Sequence, residues 1–309
     1  MSAAAGRLER LARAGRFLVT AELVPPRSAD TAPLRRQAIE LVGYADAVNV
    51  TDNPAASAHM SPLAGVVAAA AAGVEPTLQI TTRDRNRLAL EGDLLGAWAL
   101  GARNVLCLSG DPIATGDEPG AREVWDLDVL GLVRLADALR GDGRLLSGAE
   151  VDEPPRYFVG VADSPLADRY DPGRLEAKLD AGAAFVQTQI AFDVEAIGAW
   201  ADVVRPRGVF ERASVLVGVT PLRSTQQARY LDEHLPGVSV PRHVFDELEA
   251  ASPGAEAEVA GIVIAASMVE RLRATDGIAG VHVIGLGRED VVRKLVEAAG
   301  LAPRPVAIP

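Results

Sequence analysis

Eight times along this chain a short apolar run gives way to a segment of helical length, and that alternation restricts the fold more than any other feature. The first run lies in residues 17–27, FLVTAELVPPR. Phe17, Leu18, Val19, Ala21, Leu23 and Val24 make the near-continuous apolar stretch of a strand covered on both faces. Pro25 and Pro26 end it, because proline has no N–H to donate to a ladder. Further strands are expected at 47–50, 76–80, 104–108, 157–161, 185–190, 215–219 and 281–284. Helices are expected at 33–42, from Ser61-Pro62 to Gly73, at 88–100, and from Asp126 or Asp128 to 139. Others fall at 171–181, 194–204, 226–233 and 289–299. An extra helical region at 241–275, broken around Ser252-Pro253-Gly254, precedes the last strand. Each helix is long enough for a right-handed crossover, which predicts an α/β fold of the (β/α)8 TIM-barrel type, with a doubly wound sheet as competitor. Residues 1–309 read as one barrel domain, and 1–16 as a short N-terminal helical extension.

The formal net charge of −11 argues against a nucleic-acid surface, which wants clustered Lys and Arg, but leaves room for an anionic small molecule. One cysteine, Cys107, and four histidines form no zinc spacing, so no metal is expected. Residues 1–16 lack the apolar core of a secretory signal, and the alanine run at 68–72 is too short to span a bilayer. A cytoplasmic protein without membrane attachment is expected, with a homodimer as the prior for assembly.

Glu22, Asp52, Asp111, Gln189 and Thr220 fall at or just past strand C-termini, which converge on one mouth in a barrel. A carboxylate such as Glu22 on a buried strand costs several kcal/mol unless something uses it. A general acid or a ligand-binding group explains it better than a solvated edge position or a paired structural acid. Asp111, in LCLSGDP, either caps its turn or binds a heterocycle bearing adjacent N–H and amino donors. Gln187 and Gln189 share one face of their strand, and a polar heterocycle would satisfy their amides. Gly285 and Gly287 either admit a phosphate to the backbone or tighten a turn, and Arg288 is a phosphate contact or a surface residue. Lys178 carries little weight by itself. Asp46, Glu40 and Glu91 are expected to be surface charges, and His59 and His243 structural or exposed.

In this order and spacing, AELVPPR (21–27), VTDNP (50–54), TTRDRNR (81–87), LSGDP (108–112), KLDAGAAFVQTQIAFD (178–193), VGVTPL (217–222) and VHVIGL (281–286) resemble the catalytic barrel of methylenetetrahydrofolate reductases. The resemblance implies reduction of 5,10-methylenetetrahydrofolate to 5-methyltetrahydrofolate with hydride from NADH or NADPH. It implies that Glu22 is the general acid, that Asp111 lies near the pterin, and that Gln189 contacts the pterin. Gln187 and Thr220 are further candidates for the folate. Thr51 and Lys178 match flavin-serving positions, and Thr77, Ser109, Gly285 and Gly287 complete the cofactor set. The appended regulatory domain of some eukaryotic relatives is not expected.

Several flavin positions depart from the family pattern. Thr77 stands where flavin-binding relatives have histidine, and Ser109 where they have arginine. Arg174 and Ala177 replace an asparagine and an arginine. Residues 162–167 (ADSPLA) replace an Ala-Tyr-Pro-Glu-type segment, and 284–287 (IGLG) a Thr-Leu-Asn-Arg-like ending. Loss of these positions together, with the acid and pterin residues kept, points to FAD weakly bound or absent. Hydride would then pass directly from the nicotinamide. The alternatives are an FAD-dependent reductase with ping-pong transfer, and a pterin-binding methyltransferase partner or noncatalytic folate-binding barrel.

Overall fold

Alternation decides the two faces of every strand. On β1 (Leu18–Leu23), Val19, Ala21 and Leu23 pack outward into the main apolar core, while Leu18, Thr20 and Glu22 face the axis. The same division runs through β2 (Ala47–Val50), β3 (Pro76–Thr81), β4 (Asn104–Leu108), β5 (Phe158–Asp163), β6 (Phe185–Ile190), β7 (Ser214–Val219) and β8 (Ile278–Val283). Each strand pairs in parallel with the next, and β8 returns to β1. The computed structural model, which describes residues 6–305, is therefore a closed eight-stranded barrel, and the doubly wound sheet is excluded.

Helix α1 (Arg7–Arg13) lies beneath the barrel and the others ring it: α2 (Ala32–Glu40), α3 (Pro62–Ala72), α4 (Arg87–Ala99), α5 (Val129–Gly141), α6 (Pro172–Asp180), α7 (Val194–Val204), α8 (Val209–Arg212), α9 (Thr225–His234), α10 (Arg242–Ala250), α11 (Ala255–Ala274) and α12 (Glu289–Ala298). Ser61, Asn86, Asp128, Asp171, Asp193 and Ser224 each accept a backbone N–H at a helix start. Such a cap contributes about 1 kcal/mol. The additional helices α10 and α11 lie between β7 and β8 as expected, and the short α8 is one element the sequence pattern did not reveal. A Cβ on Gly261 would sit 1.7 Å from the Leu222 carbonyl oxygen, so glycine lets α11 press against the chain leaving β7.

The axis is filled in layers. At the bottom, Leu18, Ala47, Leu106, Phe158, Phe185 and Leu216 meet Leu8 and Leu11 of α1, which closes the barrel like a plug. Phe158 and Phe185 pack 4.9 Å apart, and Gly160 is required beside them, since a Cβ there would lie 2.0 Å from the Phe185 ring.

β8 starts three residues before the expected position, because Gly280 interrupts the apolar run that would have marked it. A side chain at 280 would strike the Leu18 carbonyl, so the interruption is what allows β8 to close on β1. Asp46 is fully buried, against the expectation of a surface charge. It accepts from the Val19 N–H at 2.8 Å and pairs with Arg304 at 2.7 Å and Arg7 at 3.0 Å. Glu91 is buried as well and accepts from the Leu146 N–H. Among the described residues no helix is long and apolar enough to cross a membrane.

Candidate active site

Above the apolar plug the axis turns polar. Asn49 Nδ2 donates to Gln187 Oε1 at 2.6 Å, and Gln187 Nε2 donates to Thr20 Oγ1 at 3.0 Å. Thr20 Oγ1 lies 3.0 Å from His282 Nδ1. The other imidazole nitrogen, Nε2, stands 3.8 Å from Glu22 Oε2, and the Glu22 side chain opens to the mouth with 21% of its surface exposed against 5% for His282. Four strands thus place one row of hydrogen-bonding groups under a single carboxyl.

Gln187 is not at the mouth, because Asn49 and Thr20 already engage its amide in the buried interior. Thr220 is engaged as well: its hydroxyl donates to the Ile284 carbonyl at 2.7 Å and ties the end of β7 to β8. Asp52 accepts from the Thr81 N–H and hydroxyl and pairs with Arg85 at 2.7 Å, so it braces β3.

Asp111 lies in a roof over the β2–β4 side of the mouth. Its Oδ2 accepts from the Ala55 N–H at 2.9 Å and holds a turn in which Asn53, Ala55 and Ala56 all have positive φ. A non-glycine residue held there costs about 1–2 kcal/mol, so the carboxylate offsets real strain. Oδ1 has no protein partner among the described residues. Asp117 stitches the same roof, accepting from Ala58 N–H and from Arg27. Arg83, 1% exposed, supports it from below through Asp84 and the Asp111 carbonyl.

Gln189 sits at a β-bulge. The β6–β7 register shifts between Gln187 and Ile190, and Thr188 Oγ1 accepts from the Gly218 N–H at 3.0 Å. Bulges re-aim side chains beside active sites. Gln189 Oε1 accepts from the Ile190 N–H and its Nε2 reaches the Pro236 carbonyl only at 3.4 Å.

Beside the mouth, a cleft of about 740 Å³ runs from Thr82, Ser109 and Ala162 out to the first turns of α5 and α6. Ser109 and Lys178 line it, whereas Thr51, Thr77, Gly285 and Gly287 do not. Lys178 Nζ donates to the Ala162 carbonyl at 2.6 Å and lies 4.0 Å from Asp163. Burial lowers the lysine's proton affinity, and burial likewise holds the Asp163 carboxyl above its usual range. Both helix N-termini at the cleft are already capped, by Asp128 and Asp171. Thr51 Oγ1 is buried without a partner one residue beyond β2, on the axis-facing side of the alternation. Thr77 is wholly buried lower down, next to Asn104 in the ladder, and its hydroxyl also lacks a partner. Gly285 is explained by its turn, since a Cβ would lie 2.7 Å from the Arg288 carbonyl oxygen, and Gly287 by its φ of +80°. Arg288 is paired with Asp290 and Glu258, away from the cleft.

Residues 7–300 match the family profile described as methylenetetrahydrofolate reductase. The chain belongs to the methylenetetrahydrofolate reductase family. Methylenetetrahydrofolate reductase 1 of Schizosaccharomyces pombe is 26% identical over 241 residues, which cover 74% of this chain and 36% of that protein. A probable methylenetetrahydrofolate reductase (NADPH) of Caenorhabditis elegans is 24% identical over 311 residues, 96% of this chain and 44% of that one. The chain therefore spans less than half the length of these two relatives. Among solved structures, an uncharacterized Clostridium thermocellum protein that binds two copies of 5-methyl-5,6,7,8-tetrahydrofolic acid aligns with a TM-score of 0.62. That alignment covers 95% of this chain and 99% of the other at 12% identity, so the likeness is one of fold. In this member of the methylenetetrahydrofolate reductase family, Glu22, Asp111 and Gln189 come from three different strand ends on one face of the barrel. His282, Thr20, Asn49 and Arg83 belong to the same end and were not singled out from sequence.

Proposed function

We propose that this chain reduces 5,10-methylenetetrahydrofolate to 5-methyltetrahydrofolate, taking hydride directly from NADH or NADPH. The observation that carries the reading is Glu22, a carboxyl on the barrel axis at the C-terminal mouth in a chain of this family. Glu22 donates its proton to N10 of the folate. The bond between N10 and the bridging carbon breaks, and an iminium forms at N5. Hydride from nicotinamide C4 adds to that carbon, leaving the methyl group and the oxidised dinucleotide, and Glu22 regains a proton from water. General-acid assistance of this kind is worth about 10²–10⁴-fold. Asp111 would meet the pterin's N–H groups through Oδ1, and Gln189 would fix the rotation of the ring.

A nicotinamide in place of FAD is supported by the altered flavin positions along the cleft. A dinucleotide's pyrophosphate needs cations or open helix N-termini whether its ring is a flavin or a nicotinamide, and Arg169 and Arg174 on the cleft wall serve either one. Lys178 is engaged by Ala162 and Asp163, Ser109 stands where flavin-binding relatives have arginine, and Asp128 and Asp171 close both helix starts. The positions that serve a flavin in relatives are thus replaced or already engaged in this chain. The orphaned Thr51 hydroxyl is the one observation on the other side, since a flavin ring in the mouth would satisfy it; a nicotinamide amide would do so equally well.

The test is an anaerobic assay of nucleotide-stripped protein with each nicotinamide, with and without FAD. We expect methylenetetrahydrofolate-dependent oxidation of the nicotinamide without FAD, no flavin absorbance, and loss of most turnover in Glu22→Gln with folate binding kept. A requirement for stoichiometric FAD would reverse the cofactor assignment, and a Glu22→Gln variant with near-normal rate would remove Glu22 from its role.

A further inference from the structure

A carboxyl that donates a proton has two oxygens, and only one carries it. The row beneath Glu22 has a direction. Because Gln187 Oε1 accepts from Asn49, its Nε2 is the group that faces Thr20 Oγ1. The Thr20 hydroxyl is wholly buried and has one proton to give. With Gln187 donating to it, that proton has His282 Nδ1 as its partner. Were Nδ1 itself protonated, the hydroxyl would accept twice and its own proton would be left unpaired in the interior, at a cost of about 1–3 kcal/mol. His282 is thereby held as the neutral tautomer with its hydrogen on Nε2, the nitrogen that faces Glu22 Oε2.

We propose that His282 is a positioning residue that decides which oxygen of Glu22 carries the proton. A nitrogen that can only donate requires Oε2 to be the accepting oxygen, so the acid's proton resides on Oε1, turned away from the imidazole and toward the mouth. When that proton leaves for the folate, negative charge develops on the carboxyl, and the Nε2–H strengthens its hold as the charge grows. The 3.8 Å separation closes to a hydrogen bond as the substrate seats Glu22, a tightening common to catalytic pairs. The same arrangement accounts for why four polar side chains stand in the barrel interior, where apolar packing would serve stability equally well. This inference rests on the function proposed above and deepens it.

Two substitutions separate positioning from structure. His282→Asn keeps a group near the Nδ1 position for Thr20 but removes the donor aimed at Glu22, whereas His282→Gln restores a donor near the Nε2 position. We expect kcat to fall about 10- to 100-fold in His282→Asn with the folate KM within about twofold, and to recover most of that loss in His282→Gln. In a Glu22→Gln background, adding His282→Asn should cost no further activity, because the imidazole acts through the carboxyl. Melting temperatures show that each variant is folded. Independently of turnover, ¹⁵N spectra of histidine-labelled protein should show His282 protonated at Nε2 and bare at Nδ1. An Nδ1–H tautomer, an unchanged kcat in His282→Asn, or the same fractional loss in both backgrounds overturns the proposal. A wild-type protein that turns over no methylenetetrahydrofolate, with the tautomer as expected, overturns the functional reading instead.

Discussion

Asp46 shows how much one buried carboxylate can hold. It joins Arg304, Arg7 and the Val19 N–H, and neither it nor Arg304 meets solvent appreciably. Asp46→Ala leaves the Arg304 guanidinium buried without its counter-charge, and a loss of about 3–5 kcal/mol in unfolding free energy is expected from urea titration. Asp163 makes a different prediction. Burial raises its pKa, only partly opposed by Lys178, the Tyr170 hydroxyl and the Ser164 N–H. The folded state then binds this proton more tightly than the unfolded chain. Its unfavourable contribution is absent below the ordinary carboxylate value of about 3.9 and complete once pH has passed the raised one. Stability relative to Asp163→Asn should therefore decline as pH rises through that window, a trend that urea midpoints taken upward from about pH 4 will follow. Residue by residue, what was legible was placement: Glu22 and Asp111 do stand at strand ends, where the apolar runs put them. Asp46 was misread because its partner Arg304 is 258 residues away. His282 escaped notice because a lone histidine between valines reads as core, and its partner Thr20 is 262 residues distant.

The elements came through with far less ambiguity, since each strand's apolar run and each capping Asp, Asn or Ser lies within a few residues of the element it defines. What periodicity misses is any break in its own rule. The β6 bulge moves Gln189 out of the simple alternation that would pair it with Gln187, and Gly280 hid the start of β8. The bulge depends on Gly218, where a Cβ would lie 2.5 Å from the Thr188 carbonyl oxygen. Gly218→Ala should cost about 1–3 kcal/mol by overpacking, and its folate KM should rise more than that of a surface control, which steady-state kinetics will show. The α1 plug is a second test. Leu11 is completely buried under the barrel, and Leu11→Ala should lower stability by about 2–5 kcal/mol, read from the denaturation midpoint, without changing kcat.

For the molecule as a whole, reading residues 1–309 as one domain implies one cooperative unfolding transition. Far-ultraviolet circular dichroism and the fluorescence of Trp98, Trp125 and Trp200 should give coincident melting curves, and separated curves would divide the chain into independent units. Among the described residues closure also leaves the barrel sheet without an open edge to template association, because β8 pairs with β1. The Arg7–Asp46–Arg304 cluster has a consequence for how the chain is made. Asp46 and one of its cations emerge early from the ribosome, while the other must wait until residue 304 has been added. A nascent chain shorter than that carries a half-neutralised carboxylate beneath an unsealed barrel, so vectorial synthesis holds back final locking until that second arginine has left the ribosome.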